Sequence, residues 1–257
     1  LGLKIDNTNL RALVEKHSGS SLIASGKFVN IDELEAERQR LLNALRNEGA
    51  FGLQKSNIRF EIDGDTTQTN TSKKLDLFTV IDESADTQLY QIGSVRVYID
   101  QLNEVSTTAS DTINRLLFFT SDSTLDLEEI EQRIAFKPEA RYSDSFRSFT
   151  LDQLGQLNYF TYPSFNYQTS DNQAVDLNLY LRSRKRYSLT ADFDVTHSAI
   201  QQIGTSLRSS ILARNVFGSF ENLSLSLSGT IGNSIIPGAN ITSELGVDLN
   251  LSFPRWW

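Results

Sequence analysis

The sequence predicts an α+β fold in which two β-α-α-β-β units precede the first antiparallel strands of a transmembrane β-barrel. One order of helical and strand patterns occurs twice between residues 1 and 186, and four long alternating segments follow it. This order of elements restricts the architecture strongly. We therefore expect domains at residues 1–88, 89–186 and 187–257, the last holding four barrel strands.

The first unit shows apolar residues at helical spacing in two segments and alternating residues in two others. Asp32 is expected to cap the second helix, and Gly49 to end it. The predicted elements are, in order, a strand at Leu1–Ile5, helices at Asn9–His17 and Ile31–Glu48, and strands at Asn57–Asp63 and Lys73–Asp82.

The second unit repeats this order. Residues Gln101–Thr124 fit the repeat poorly, and we expect an insertion or a break there. The predicted elements are a strand at Tyr90–Ile99, helices at Asp126–Phe136 and Ser143–Phe160, and strands at Ser164–Thr169 and Ala174–Arg184.

The remaining segments alternate apolar and polar residues, which predicts strands with one apolar and one polar face. In Tyr187–Thr196 every odd position is apolar and every even position is polar or charged. Crossing a bilayer takes a tilted strand of about 9–11 residues, and these segments have that length. A soluble β-sandwich with shorter strands is the alternative. The other three segments are Ile203–Ala213, Leu223–Ile231 and Leu245–Phe253.

Composition argues against several functions. The net charge of −8 does not suit nucleic acid. With no Cys and two His, a metal cluster or a catalytic triad is not expected, and no glycine-rich phosphate loop is present. We expect no cofactor and no enzymatic activity. The chain contains no Met and starts at Leu1, which suggests a piece of a longer protein.

Five motifs resemble those of polypeptide-transport-associated (POTRA) domains and of the barrel that follows them in the BamA/TamA outer-membrane superfamily. The similarity covers nearly the whole chain and looks closest to the TamA-like branch of Bacteroidota. Two departures are Ala50, inserted before Phe51, and Glu139, where the family usually has Gly. The motifs are Leu34–Phe51, Tyr90–Val95, Phe136–Tyr142, Arg214–Gly218 and Leu251–Arg255.

The resemblance implies a non-enzymatic assembly or translocation factor in the outer membrane of a Gram-negative bacterium, with its POTRA domains in the periplasm. Its partners would be unfolded outer-membrane proteins, outer-membrane lipid, and periplasmic or lipoprotein accessory subunits. Clients would bind by β-augmentation, adding a strand to an exposed sheet edge. The edge strands implied include Ile58, Arg59, Phe60 and Glu61 in the first unit, and Phe165, Asn166 and Tyr167 in the second.

The first barrel strand would form the seam at which clients are templated, with Leu189, Thr190, Ala191, Asp192 and Phe193 at its centre. We expect proline at Arg59, Glu61 or Thr190 to block client pairing without breaking the fold. The alternative function is a two-partner-type secretion pore, which passes its substrate through the barrel lumen.

The strand order also predicts an aromatic girdle, because one rim of the sheet collects the aromatic residues that mark a membrane–water boundary. Its predicted members are Tyr187, Phe217, Phe220, Phe253, Trp256 and Trp257.

Overall fold

The computed structural model describes residues 2–26, 30–64, 76–82, 86–101, 111–170, 172–196, 201–234 and 241–254. The chain divides into two compact units. Unit 1 contains Leu1–Arg96, Ile134–Thr150 and Phe165–Asn178, and unit 2 contains Val97–Arg133, Leu151–Ser164 and Leu179–Trp257. This division differs from the domain boundaries expected from the sequence, which stay a prediction. Among the described residues, no helix is both long and apolar enough to cross a membrane.

The first sheet has three strands in the order β1-β3-β2. Strand β1 is parallel to β3, and β2 is antiparallel to it. Two helices lie between β1 and β2 in the chain. The bounds are β1 Gly2–Lys4, α1 Thr8–Lys16, α2 Ile31–Asn47, β2 Ile58–Asp63 and β3 Asp76–Ile81.

Local signals at the helix ends explain the bounds of α2. The Asn30 side chain accepts a hydrogen bond from the Asp32 backbone N–H at 3.1 Å, so Asn30 is the N-cap and the predicted cap, Asp32, lies in the first turn. Gly49 ends the helix as predicted, with a φ of 104° that suits glycine. Leucines of both helices pack against Ile5, Ile58 and Ile81 of the sheet region.

The second sheet has five strands in the order β5-β6-β4-β8-β7. The short hairpin β5–β6 was not predicted and lies in the segment that fits the repeat poorly. Asp126 caps α3 by accepting a hydrogen bond from the Glu129 N–H at 3.1 Å. The bounds are β4 Gln91–Ile99, β5 Asp111–Ile113, β6 Leu116–Phe119, α3 Leu127–Gln132, α4 Ser145–Gln156, β7 Phe160–Ser170 and β8 Ala174–Ser183.

The third sheet is an antiparallel meander in the order β12-β11-β10-β9. Its apolar side chains share one face and are exposed, with Leu189 70%, Val247 70% and Leu245 89% accessible. Asp192, Arg208 and Ser228 pair across neighbouring strands on the other face. The bounds are β9 Tyr187–Thr196, β10 Gln201–Arg214, β11 Asn222–Ser234 and β12 Thr242–Ser252.

Candidate functional site

Three strands that the sequence analysis assigned to client pairing lie at sheet edges. Among the described residues, β2, β7 and β9 each have one neighbouring strand. An edge strand presents a row of unpaired backbone N–H and C=O groups, which another chain can use. The candidate site is therefore a set of backbone edges, and its geometry depends on which residues point their N–H groups outward.

Strand β2 has its outward N–H groups on the even-numbered residues. The Asp82 N–H donates to the Asn57 carbonyl at 3.0 Å, so that carbonyl points toward β3. Alternation along an antiparallel strand then directs the backbone groups of Arg59 and Glu61 toward β3 as well. Ile58, Phe60 and Ile62 carry the groups at the open edge. The expectation about proline is corrected, because proline at Arg59 or Glu61 would break the β2–β3 ladder.

The charged side chains of β2 are paired within the first sheet. Lys4 donates to Glu61 at 2.8 Å, and Arg59 is bonded to Asp82. The hydrogen bond from Lys4 lowers the pKa of Glu61. These pairs neutralise one face of the edge strand, so its main-chain groups are left as the available recognition feature.

Strand β7 turns two aromatic residues inward and one amide outward. Phe165 and Tyr167 are half-buried and stack with ring centroids 6.2 Å apart, whereas Asn166 is exposed. Phe136 lies 5.7 Å from Phe165. Burial raises the pKa of Tyr167 to about 12, which keeps its hydroxyl neutral. The pairing residues of β7 therefore differ in role, with the aromatic side chains in the core and Asn166 at the surface.

Strand β9 directs its odd-numbered backbone groups to the open edge. The Arg214 N–H donates to the Arg186 carbonyl at 2.8 Å, so the even-numbered residues bond to β10. Leu189, Ala191 and Phe193 then face the edge with their backbones. Proline at Thr190 would break the β9–β10 ladder, which corrects the expectation for that residue too.

The polar face of the third sheet carries a cluster of opposite charges. Asp192 lies directly across from Arg208, and Asp194 from Ser206. With Glu244 these side chains line a cavity of about 510 Å³. A charged face opposite an apolar face is typical of the strands that form transmembrane barrels. Within the described part of the chain, no group of acidic or histidine side chains could hold a metal ion.

The predicted aromatic girdle is corrected at Phe220. Tyr187, Phe217 and Phe253 are exposed by 65%, 70% and 55%, as lipid contact requires. Phe220 is completely buried, with its ring centroid 5.2 Å from that of Tyr159 and 5.8 Å from that of Phe160. Its backbone has a φ of 65°, in the left-handed region. Trp256 and Trp257 lie outside the described residues.

Phe220 belongs to a contact that the sequence analysis missed, which we call the sheet joint. It joins the β10–β11 turn and the end of β12 to residues near α3 and α4, all within unit 2. Ser219 donates to the Asp126 carboxylate at 3.0 Å. Arg133 is bonded to Glu129 at 2.7 Å and donates to the Pro254 carbonyl at 2.6 Å. The apolar Phe220 between Ser219 and Glu221 is the sequence signal that could have pointed to a buried turn.

Comparison by sequence finds no matching protein family and no matching curated protein. Comparison of structures finds similarity to BamA from Haemophilus ducreyi lacking POTRA domains 1–3, with a TM-score of 0.50 and 13% identity over 98% of this chain and 47% of that one. CdiB from Acinetobacter baumannii aligns with a TM-score of 0.39 and 13% identity over 90% of this chain and 38% of that one. The chain thus spans about half the length of the BamA structure.

The fold is similar to that of the BamA structure lacking POTRA domains 1–3. The α+β elements and the four-stranded antiparallel sheet that follows them align with that structure over 98% of this chain. This confirms the resemblance that the sequence motifs indicate. The assignment to a Bacteroidota branch stays a prediction.

Proposed function

We propose that the chain is the part of an outer-membrane protein assembly factor that receives unfolded clients and passes them to the membrane. In this proposal two tandem POTRA domains lie in the periplasm, and β9–β12 are the first strands of the barrel. Clients pair with the open edges of β2 and β7 and are then templated on β9, the seam strand. The protein needs no cofactor and is not an enzyme, because strand pairing and burial in lipid supply the driving free energy.

The observation that carries the proposal is the exposed apolar face of β9–β12, with β9 at one edge of the described sheet. Leu189 and Phe193 are 70% and 67% accessible, which is stable in lipid and unfavourable in water. The same residues direct their backbone groups to the edge. An incoming strand would therefore find hydrogen-bonding partners at a surface that already faces lipid.

Client pairing is tested by photocrosslinking a stalled outer-membrane client to the full-length protein. Proline is placed either where the backbone N–H points to the open edge or where it bonds to the neighbouring strand. Ala191→Pro removes an edge donor and should abolish crosslinks to β9 while the β9–β10 ladder persists. Thr190→Pro is the matched control, since it removes a donor to β10 and should destabilise the sheet itself. Ile62→Pro and Glu61→Pro make the same comparison on β2.

Crosslinks that concentrate on lumen-facing residues such as Asp194 and Arg208, and that are unaffected by Ala191→Pro, would contradict the assembly function. They would favour the secretion pore, in which the substrate passes through the lumen and does not need a free strand edge.

Membrane insertion is tested separately by placing arginine on the two faces of β9. Phe193→Arg should cost about 2–4 kcal/mol when its site lies near the bilayer midplane. Asp192→Arg puts the same side chain on the polar face and should have a small effect on insertion. If both variants lower the yield of protein folded into vesicles equally, then one face of β9 does not contact lipid while the other contacts water.

A further inference from the structure

We propose that the basic segment Arg182–Arg186, with Tyr162 beside it, binds the acidic headgroups of phospholipids at the membrane surface next to β9. The inference rests on the proposed membrane position of β9–β12 and adds a specific ligand to it. Its partner is an anionic lipid surface.

The segment concentrates positive charge in an acidic protein. Arg182, Arg184, Lys185 and Arg186 are all exposed, and no Asp or Glu occurs from Leu177 to Ala191, although the chain carries a net charge of −8. In the described ranges, no carboxylate forms an ion pair with any of these four residues. Basic clusters beside membrane-spanning segments attract anionic lipids.

The backbone of the segment is held in place while its charged ends stay accessible. The Arg184 N–H donates to the Tyr159 carbonyl at 2.7 Å, and its Nε donates to the Phe160 carbonyl at 3.2 Å. Arg214 donates to the Lys185 carbonyl at 2.9 Å. A fixed backbone lowers the entropy lost when the side chains bind a headgroup.

The register of the third sheet puts the segment at headgroup depth. Tyr187 pairs with Ala213, which pairs with Leu223, and this row is the last apolar one before the strands end. Arg186 is one residue further out, about 3.4 Å along the strand. Its guanidinium lies 5.9 Å from the centroid of the exposed Tyr187 ring. A tyrosine at the boundary with a cation just beyond it is typical of a membrane interface.

Tyr162 supplies a second, independent indication. It is 93% exposed and has a φ of 43°, which is uncommon for a bulky residue, and Pro163 follows it. Thr161 donates to the Arg182 carbonyl at 3.0 Å, and Tyr162 and Arg182 line the same cavity of about 610 Å³. Asp100 also lines it, with its carboxylate bonded to the Ser183 N–H at 2.8 Å. The strained backbone therefore displays an amphipathic ring beside the basic segment, as insertion among headgroups requires.

The test uses full-length protein in phosphatidylcholine vesicles containing a spin-labelled lipid, either phosphatidylglycerol or phosphatidylcholine. Electron paramagnetic resonance gives the association constant of each label relative to bulk lipid. Wild type should prefer phosphatidylglycerol, and the preference should fall as salt is added. The triple variant Arg182→Gln/Lys185→Gln/Arg186→Gln keeps the structural bonds of Arg184. Its preference for phosphatidylglycerol over phosphatidylcholine should fall about fivefold for each charge removed, because each basic residue contributes about 1 kcal/mol.

A matched control removes the same charge elsewhere. Lys16→Gln/Arg141→Gln/Arg147→Gln changes three exposed basic residues of unit 1 and should keep the wild-type preference. Tyr162→Ser should weaken association with both labels, and this change should not depend on salt.

Two results would overturn the proposal. One is an unchanged phosphatidylglycerol preference in the triple variant. The other is an equal loss of preference in the unit 1 control, which would show that overall charge decides. A triple variant that keeps its lipid preference but loses crosslinks to an acidic client segment would assign the segment to protein recognition. Equal effects of Phe193→Arg and Asp192→Arg on insertion would show that β9–β12 do not lie in the membrane. That result would contradict the proposed function.

Discussion

Two sets of contacts between segments that are distant in sequence differ in how polar and how buried they are. The first, which we call the helix joint, lies within unit 1 and connects the end of α2 with residues 141–145. There Arg46 forms two bonds of 3.1 Å with Asp144, and the Asn47 side chain accepts from Ser143 and Ser145. Phe51 contacts Tyr142 at a centroid distance of 4.9 Å. Most of these contacts are polar and partly exposed.

The sheet joint, within unit 2, is centred on a fully buried ring. Phe220 has no exposed surface, and the Asn215 side chain accepts from its N–H at 2.9 Å. Arg133, 7% exposed, holds the Pro254 carbonyl. Burial of apolar area contributes more than partly exposed ion pairs do. The comparison therefore predicts that the sheet joint resists salt and acid, whereas the helix joint responds to both.

The largest effect is expected for Phe220→Ala. Truncating a buried Phe costs about 3–5 kcal/mol, through lost burial and a cavity between Tyr159 and Phe160. Hydrogen exchange of residues 126–133 and 157–160 should show this loss of protection. Phe217→Ala is the control, because Phe217 is 70% exposed and its truncation should leave the exchange rates unchanged. Equal effects of the two variants would mean that the turn is not anchored.

Phe51→Ala should cost less, about 2–3 kcal/mol, because Phe51 is half-buried, whereas fully buried Phe residues lose about 3–5 kcal/mol. The ring makes three aromatic contacts, with Tyr90, Tyr142 and Tyr167. Hydrogen exchange near Tyr142 should accelerate, while exchange near Phe220 should not change. A matched truncation at Phe149, which is 51% exposed, should have little effect on either region.

The Arg46–Asp144 pair should contribute about 0.5–1 kcal/mol, since the side chains are 24% and 38% exposed and solvent screens them. A double-mutant cycle with Arg46→Met and Asp144→Asn measures the coupling free energy. It should shrink in high salt, where exposed charges are screened. A coupling that is independent of salt would show that the helix joint is shielded from solvent like the sheet joint.

The smallest effect concerns pH at Glu48, which contacts Arg141 at 3.4 Å. A hydrogen bond from Lys16 lowers the pKa of Glu48 from 4.5, although burial opposes this. A lowered pKa stabilises the folded state fully above pH 4.5, and the stabilisation is lost as the pH falls through the folded pKa. The free energy of unfolding of Glu48→Gln should therefore approach that of wild type in acid. A difference that persists there would rule out titration of Glu48 as its cause.

Periodicity predicted the elements well, because each depends on residues close together in sequence. The leucines of α2 and the alternation in Tyr187–Thr196 placed both elements within a few residues of their bounds. The β5–β6 hairpin was missed because its strands have three and four residues, too few to show a period. The resembling family usually has Gly at the position of Glu139, which predicts a left-handed backbone there. The φ of Glu139 is 68°, in agreement with this prediction.

The candidate site was predicted in part. The strands chosen for client pairing lie at sheet edges, while their role in client pairing stays a prediction. The sequence does not show which N–H groups point outward, because that depends on individual hydrogen bonds. One of these is the bond from the Arg214 N–H to the Arg186 carbonyl. It also placed Phe220 with the girdle, since its packing partners, Tyr159 and Phe160, lie far from it in the sequence.

In the membrane position that we propose, the backbone alternation of β9 limits how this strand can change its pairing partner. The odd-numbered residues of β9 would then carry both the lipid-facing side chains and the edge N–H groups, so an unpaired edge would expose those groups at the depth of the hydrocarbon. Each unsatisfied group there costs several kcal/mol. The proposal therefore implies that the edge of β9 is paired at rest in the full-length protein. The strand that leaves β9 has to be displaced one hydrogen bond at a time by the strand that arrives, as in branch migration between nucleic acid duplexes.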